Sequence, residues 1–332
     1  MIKVAVVGFG FMGQTHTSNI LKNNKMHLVA IVDKNQEQTK NEMTEKAGNF
    51  SIGNITADQL LSIKNYLSIE ECIEKEVVDA FVISVHTNLH YKLSKTALEA
   101  GKHVFLEKPF CLDIVQAQEL INLADNKNLI LMIGHVVRFM PPYLKLKSWI
   151  DSSEFGKLKF LSLSRFSGIP NWGQWKEKQH VNNFTGGALF DLSIHDIDFA
   201  LWILGEPDSI ICNYLPGKLS LHDYINANWR YNAKNIQVKI EGGNIFHSKF
   251  PFQAGFSANF ENASISFSSS NLEFIYVYTD DEVNQIPTGS LNDGFCNEIE
   301  YFTNCIINNT KPVLCTAESA LHSVKLCYKH SL

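Results

Sequence analysis

The N-terminal stretch Met1–His16, MIKVAVVGFGFMGQTH, joins an apolar run to a glycine-rich turn. The run is rich in β-branched residues and ends at Val7, and a Gly-x-Gly-x-x-Gly pattern follows as Gly8, Gly10 and Gly13. Such a run is typical of a strand that is buried on both faces of a parallel sheet. Gly8 permits a sharp turn, Gly10 has no side chain to keep a diphosphate away, and Gly13 lets the next helix pack close to the strand.

The helix after this turn is predicted to begin near Phe11. The backbone N–H groups of its first residues, Phe11 and Met12 among them, then point at a bound anion. The glycine pattern follows a strand and opens a helix, which is the context that a dinucleotide site requires. A glycine-rich turn without any ligand is the alternative interpretation.

Asp33 closes the second predicted strand, Leu28–Val32, and lies twenty residues after Gly13. A carboxylate at that position accepts hydrogen bonds from both ribose hydroxyls of an adenosine and repels a 2′-phosphate. The sequence therefore favours NAD over NADP, although the neighbouring Lys34 offsets part of the repulsion and keeps NADP possible. The alternative is an Asp that only caps the following helix.

Composition limits the class of protein. The chain has 332 residues, enough for two domains, and a net charge of −5 gives no reason to expect a nucleic-acid or anionic-membrane partner. No apolar run approaches the about 20 residues of a membrane span. The seven cysteines include no Cys-x-x-Cys pair, which is typical of reduced thiols in a cytoplasmic protein and not of a disulfide framework or zinc site.

Strand and helix patterns alternate through the first ~135 residues, which predicts an α/β, doubly wound parallel sheet of the Rossmann type. From about residue 140 the rhythm changes, and residues 208–279 are strand-like segments separated by Gly, Asn and Pro. We therefore expect a Rossmann domain over residues 1–136 and, over 137–332, an α+β domain with one large, mostly antiparallel sheet. The open face of that sheet suits a homodimer or homotetramer.

Four segments together carry a resemblance to a known family. They are GFGFMGQTH at 8–16, EKP at 107–109, GHVVRFMPPY at 134–143 and GGALFDLSIHDID at 186–198. In this order and combination the chain resembles the Gfo/Idh/MocA family (glucose–fructose oxidoreductase, inositol dehydrogenase, rhizopine catabolism). The resemblance implies NAD(P)-linked oxidation or reduction of a sugar, polyol or related cyclic alcohol, and a second domain whose sheet often forms oligomer interfaces.

Lys108 is the first predicted catalytic residue. It follows a parallel strand at its carboxyl end, where open α/β sheets bind their ligands, and its ammonium can hydrogen-bond a reacting oxygen. It matches the lysine of the family's EKP motif, in which the glutamate, here Glu107, binds backbone or ribose and the proline, here Pro109, follows a cis peptide in many members. A surface salt bridge is the alternative role for Lys108.

Asp191 and His195 are the other two predicted catalytic residues. They stand four apart in a predicted helix, Asp191–Leu204, so both side chains point the same way, and a carboxylate can orient an imidazole that titrates near neutral pH. The resemblance implies that His195 is the general acid/base and that Asp191 binds substrate or tunes the pair. A capping Asp and a packed His are the alternative. This chemistry needs no metal, and none is predicted.

The loop after the strand ending at Ser84 departs from the family pattern. His86 stands where the family usually has Pro, and His90 matches a usual His. In the family this loop approaches the nicotinamide end of the cofactor. His86, Asn88 and His90 are therefore predicted cofactor contacts, and the His86 position is where we expect this chain to differ.

Four further residues are predicted substrate contacts, each with a structural role as the open alternative. An indole face stacks on a sugar ring, and a guanidinium reaches a substrate oxygen. The four are Arg138, Arg165, Trp172 and Trp175. His16, on the first helix, is expected to join the hydrogen-bond network at the strand ends instead of touching substrate.

The sequence thus predicts an NAD(P)-dependent dehydrogenase or reductase acting on CH–OH groups, with Lys108 and His195 handling the hydroxyl proton. Two alternatives stay open. One is a redox-neutral glycosidase or epimerase with tightly bound NAD, since some members of the family cleave glycosides by transient oxidation. The other is a non-catalytic regulator that senses the NAD pool.

Overall fold

The computed structural model describes residues 1–35, 55–170 and 186–331. The chain divides into two compact units, of which the first comprises Met1–His135 with Phe295–Leu321 and the second Val136–Gly294 with His322–Leu332. The predicted ranges 1–136 and 137–332 differ from this division chiefly at Phe295–Leu321. That segment packs with the first unit because its aromatic side chains, Phe302 for example, contact the first sheet.

The first unit is built on a six-stranded sheet in which every pair of neighbours is parallel. Its strands are β1 Ile2–Val7, β2 Met26–Val32, β3 Lys64–Tyr66, β4 Ala80–Ile83, β5 His103–Glu107 and β6 Leu131–Gly134, in the order β3-β2-β1-β4-β5-β6. The central strand β4 is buried along its whole length, as expected of a sheet covered on both faces. The predicted Rossmann sheet is confirmed.

Within the part of the chain that the structure describes, five α-helices connect these strands. They are α1 Phe11–Lys22, α2 Ala57–Leu61, α3 Ile69–Lys75, α4 His90–Glu99 and α5 Ile114–Asn126. Strand β3 has no counterpart in the sequence pattern, because three residues, Lys-Asn-Tyr, with one buried side chain are too short and polar to form a recognisable apolar run. The carboxyl ends of β1, β2, β4 and β5 carry the predicted cofactor residues.

The second unit contains an eight-stranded sheet. Its strands are β7 Leu158–Gly168, β8 Ser209–Leu215, β9 Tyr224–Tyr231, β10 Ile236–Phe246, β11 Gln253–Phe260, β12 Ser264–Ser268, β13 Asn271–Tyr278 and β14 Val283–Pro287. The order is β14-β13-β12-β11-β7-β10-β9-β8, and among these eight described strands only the β7–β10 pair is parallel. The predicted large, mostly antiparallel sheet is therefore confirmed.

Outside the gap at 171–185, the remaining α-helices are α6 Pro141–Ser152, α7 Ile194–Leu204, α8 Asp293–Asn308 and α9 Ala317–His330. A π-helical turn, Leu189–Ser193, precedes α7, so the predicted α-helix over Asp191–Leu204 is wrong in its first turn. Nothing in the local sequence separates a π turn from an α turn, since both bury the same apolar residues. Within the described ranges, every helix is too short or too polar to cross a membrane.

Candidate functional site

The glycine-rich turn lies between β1 and α1, and its three glycines meet different surroundings. Gly8 has a φ of +87°, and a Cβ built on Gly13 would lie 1.8 Å from the Gly8 carbonyl oxygen. A Cβ on Gly10 would meet no heavy atom of the described residues within 4 Å. The geometry matches the steric roles expected of Gly8 and Gly13, and it leaves room for a ligand to approach the backbone at Gly10.

Helix α1 presents its N-terminus at this turn. Gly10 precedes its first residue, Phe11, and has no side chain to cap the helix, and the first turn carries no acidic residue. The twelve-residue helix therefore keeps the positive end of its dipole for an anion. A diphosphate at the N–H groups of Phe11 and Met12 fits this arrangement and stays a prediction.

Asp33 lies beside the glycine turn although it is 24 residues away from Phe9 in the chain. Its Oδ2 accepts a hydrogen bond from the Phe9 N–H at 2.6 Å, and its Oδ1 accepts one from the Asn35 N–H at 2.7 Å. Each carboxylate oxygen has two lone pairs, so both can also accept from hydroxyl groups. The half-buried carboxylate thus has the place and capacity to bind a ribose, and Lys34 next to it is exposed.

The loop after β4 begins with His86, whose backbone has φ −65° and ψ 144°. This φ is the value that a proline ring imposes, so histidine at the family's usual proline position leaves the backbone in the conformation that proline would select. This chain therefore differs from the family pattern here in the half-buried side chain of His86 and not in the backbone conformation. The exposed Asn88 follows in a short 3-10 turn, Thr87–Leu89.

His90 is buried at the start of α4 and holds two loops. Its Nδ1 lies 2.8 Å from the Pro109 carbonyl oxygen, and its Nε2 lies 3.0 Å from the Val85 carbonyl oxygen. Burial lowers the pKa of His90 below its ordinary value, against the opposing effect of these carbonyls, so the neutral ring donates from one nitrogen. The ring links the loops after β4 and β5, and its direct contact with a cofactor stays a prediction.

Strand β5 ends at Glu107, and its carboxylate fixes the turn into Lys108. The Oε2 of Glu107 accepts a hydrogen bond from the Lys108 N–H at 3.1 Å, and its Oε1 lies 2.7 Å from Nε2 of His16. The Lys108–Pro109 peptide is cis, as the resemblance implies. Glu107 therefore holds in place the backbone of Lys108, whose side chain is half-buried. The expected place of His16 in the hydrogen-bond network at the strand ends is confirmed.

Glu298 on helix α8 joins this network, and the sequence analysis missed it. It is fully buried, and atoms of His16, Glu107 and Glu298 lie within 4.8 Å of one another. The signal was present in the sequence, because Glu298 interrupts the apolar face that Phe295 and Phe302 form on α8. An acidic side chain on the apolar face of a helix needs a partner to offset the cost of its burial, and only the tertiary structure identifies that partner.

Asp191 and His195 belong to the second unit, whereas Lys108 belongs to the first. Asp191 lies in the π-helical turn and His195 in the first turn of α7, and both side chains are half-buried. Because of the π-helical turn, the angle about the helix axis between Asp191 and His195 differs from the α-helical angle that their spacing of four residues predicts. Single π turns inside helices occur frequently at functional sites, which is consistent with a role for this pair.

Two of the predicted substrate contacts, Arg138 and Arg165, are buried in ion pairs. Arg138 donates to both carboxylate oxygens of Asp198, at 2.8 and 2.6 Å, and Arg165 donates to both of Asp196, at 3.1 and 2.9 Å. Paired guanidinium and carboxylate groups of this kind account for the burial of all four side chains. The geometry supports the structural interpretation of both arginines, and contact with a substrate stays a prediction.

The other two predicted substrate contacts, Trp172 and Trp175, lie outside the described residues.

Comparison with known proteins finds family models that match most of this chain. Residues 2–135 match a family model described as an oxidoreductase family with an NAD-binding Rossmann fold, and residues 143–250 match the GFO/IDH/MocA C-terminal domain. The chain is similar to a myo-inositol 2-dehydrogenase of Thermotoga maritima, at 29% identity over 62% of this chain and 55% of the relative. It is also similar to a D-glucoside 3-dehydrogenase of Escherichia coli, at 28% identity over 62% and 55%. These matches span about half the length of the curated relatives.

Solved structures share the fold over nearly the full chain. A UDP-N-acetylglucosamine 3-dehydrogenase from Acidithiobacillus ferrooxidans has a TM-score of 0.77 at 21% identity, covering 99% of this chain and 96% of that one. An oxidoreductase from Agrobacterium radiobacter in complex with NAD+, L-tartaric acid and magnesium has a TM-score of 0.80 at 15% identity, covering 99% and 96%. At these identities the likeness establishes the fold alone.

Proposed function

Because the chain belongs to the GFO/IDH/MocA family of oxidoreductases, with its NAD-binding Rossmann domain, we propose that it is an NAD(P)-dependent dehydrogenase or reductase. It transfers a hydride between the nicotinamide and a CH–OH carbon of a sugar, polyol or related cyclic alcohol, or its ketone. The observation that carries the proposal is the open backbone at Gly10 with the Asp33 carboxylate beside it. NAD is the preferred cofactor, because a carboxylate at that place repels a 2′-phosphate.

Three residues of this chain carry out the proton transfer and stabilise the developing charge: Lys108, His195 and Asp191. The nicotinamide, when bound, supplies the carbon that accepts or donates the hydride. The Lys108 ammonium hydrogen-bonds the reacting oxygen and stabilises the charge that develops on it. His195 accepts the hydroxyl proton during oxidation and returns it during reduction, and Asp191 keeps the imidazole oriented. The carboxylate of Glu107 supports this proposal, since it fixes the backbone N–H of Lys108.

The names of similar proteins support the proposed substrate class. Their names specify myo-inositol, a D-glucoside and UDP-N-acetylglucosamine, which all carry secondary hydroxyl groups on a six-membered ring. A ring of this kind suits a base that takes one hydroxyl proton and aromatic side chains that stack on its C–H face. Trp172 and Trp175 are the proposed stacking residues.

The test is a panel of sugars, polyols and sugar acids with NAD and NADP in parallel, read as absorbance of the reduced nicotinamide. Lys108→Met and His195→Ala are each expected to lower turnover by ~10²–10⁴, the usual scale for an acid–base group, with NAD affinity near normal. The exposed Lys92→Met and His27→Ala are the matched controls and should keep full turnover. Full activity in both site variants would contradict the assignment, and product without net reduced nicotinamide would favour the redox-neutral alternative.

We also propose a homodimer or homotetramer in the cytoplasm, where the seven cysteine thiols stay reduced. The outward face of the large sheet supports this assembly, because the central strand β7 exposes Phe160 there, opposite Asn259 of β11. Size-exclusion chromatography with light scattering measures the mass. A strictly monomeric protein, or an oligomer unaffected by Phe160→Lys, would contradict this interface.

A further inference from the structure

Three titratable side chains meet in the interior of the first unit. His16 comes from α1, Glu107 from the end of β5 and Glu298 from α8, and all three are buried. The edges of Phe105 and Phe295 pack against the His16 ring, at centroid distances of 5.1 and 6.5 Å. Two carboxyl groups therefore lie in an environment that disfavours charge.

The hydrogen bonds within this cluster are unequal. Glu107 accepts from the Lys108 N–H and pairs with Nε2 of His16, whereas neither carboxyl oxygen of Glu298 has a hydrogen-bond partner among the described residues. Glu298 is 0% exposed, so water does not solvate it from the surface. An ionised Glu298 would be a buried carboxylate without a donor, placed next to a second carboxylate, which is costly for both reasons.

A proton or a divalent cation would each remove this cost, and the geometry favours the proton. The 2.7 Å contact between His16 Nε2 and Glu107 Oε1 is a hydrogen bond, and a cation bound by both atoms would have to displace the proton that joins them. A separation of up to 4.8 Å between Glu298 and the other two groups is spanned by a small side-chain rotation or by one bridging water.

We propose that Glu298 holds a proton at neutral pH and, as a neutral acid, donates a hydrogen bond toward the Glu107 carboxylate, directly or through one water. Glu107 in turn fixes the backbone of Lys108, so Glu298 is a positioning residue for the lysine. The charge state of Glu298 stands independently of the activity, whereas its effect on turnover rests on the proposed function. Burial, and second the charge of Glu107, raise the pKa of Glu298 well above its ordinary value. Among the described His, Cys, Asp and Glu residues, Glu107 on β5 and His16 on α1 form a cluster with Glu298, with ligand atoms within 4.8 Å of one another.

The first test measures unfolding against pH in wild type and Glu298→Gln. A folded-state pKa above the unfolded value means that the native state keeps a proton that the unfolded chain releases. The stability from Glu298 is then present below its unfolded pKa and is lost as pH rises toward the folded one. Relative to Glu298→Gln, the wild-type unfolding constant should rise about tenfold per pH unit above pH ~4.5.

The exposed Glu300→Gln on the same helix is the matched control and should keep the pH dependence of wild type, because it retains Glu298. Parallel pH profiles of wild type and Glu298→Gln would overturn the proposal. An infrared spectrum at pH 7 should contain the carbonyl band of a protonated carboxyl group that Glu298→Gln lacks. Absence of that difference, or a stoichiometric divalent metal ion in dialysed protein that Glu298→Gln loses, would also overturn it.

The positioning role is tested by two variants of similar volume. Glu298→Gln keeps a donor toward Glu107 and should retain kcat within about threefold, whereas Glu298→Leu removes the donor and should lower kcat about tenfold with KM for NAD unchanged. Equal kcat values in the two variants would contradict the positioning role. If no substrate is turned over by the wild type, the proposed function fails while the pH and infrared results still decide the charge of Glu298.

Discussion

Alanine at Gly13 and alanine at Gly10 should separate the folding role of the glycine turn from its binding role. A Cβ on Gly13 would lie 1.8 Å from the Gly8 carbonyl oxygen, whereas real Cβ contacts are essentially never shorter than 3.0 Å. Helix α1 and the turn must therefore move apart by at least 1.2 Å. The Gly8 carbonyl belongs to the main chain, and the backbone fixes the position of a Cβ, so no side-chain rotation can relieve the overlap.

Overpacking of this kind costs about 1–3 kcal/mol, and a backbone clash lies at the upper end. At about 2.1 cal/mol/K of unfolding entropy per residue, ~3 kcal/mol in a chain of 332 residues corresponds to a Tm lower by roughly 4 °C. Gly10 has φ −74° and open space at its Cβ, so alanine there should leave the stability unchanged or raise it by about 0.4–1 kcal/mol. The same methyl group would stand where a diphosphate approaches, and NAD affinity should fall about 10- to 100-fold, or ~1.4–2.8 kcal/mol.

The assay pairs urea unfolding, followed by circular dichroism without cofactor, with calorimetric titration of NAD. Each variant is the other's control, since one changes stability and the other affinity. A Gly13→Ala protein as stable as wild type would refute the steric argument. A Gly10→Ala protein that binds NAD like wild type would refute the placement of the diphosphate.

Three further variants test other parts of the structure. Trp229 donates to Nε2 of the buried His330, whose pKa burial lowers to about 4, so the unfolded chain takes up this proton first. Stability should therefore fall by up to about 3 kcal/mol as pH drops from ~6.5 to ~4, and His330→Gln should remove this slope in pH-dependent urea unfolding. Arg138→Met leaves the Asp198 carboxylate buried without its cation and should cost about 3–5 kcal/mol by the same measurement. His86→Pro should keep stability within about 0.5 kcal/mol, measured by urea unfolding, because φ is already −65°.

Each of these three predictions has a result that would contradict it. The exposed His27→Gln should leave the acid slope intact, and an identical slope in His330→Gln would show that another group titrates. The double variant Arg138→Met/Asp198→Asn should recover part of the loss, and simple additivity of the two single losses would mean that the pair does not interact. Marked destabilisation of His86→Pro would show that the His86 N–H, and not only φ, matters.

The fold of the first domain could be predicted because each of its strands and turns is formed by residues that are neighbours in the sequence. A buried parallel strand has to be a continuous apolar run, and the turn after β1 has to contain glycines at Gly8 and Gly13 because the backbone approaches itself there. Lys108 could be singled out for the same reason, since it follows directly after a recognisable strand. Local sequence does not reveal a strand as short as β3 or the π turn at Asp191, because neither changes the apolar pattern.

Local sequence determined the alternation of strands and helices in the first domain, the glycine turn, the position of Asp33 and the two kinds of sheet in this protein. Only the tertiary structure decided which distant side chains pair: Arg138 with Asp198, and Glu298 with Glu107 and His16. The physical reason is that periodicity reports which face of an element is buried, whereas the partner of a buried charge depends on which other elements cover that face. The sequence shows that Glu298 lies on the apolar face of its helix. Only the tertiary structure shows that it faces Glu107 at the end of β5.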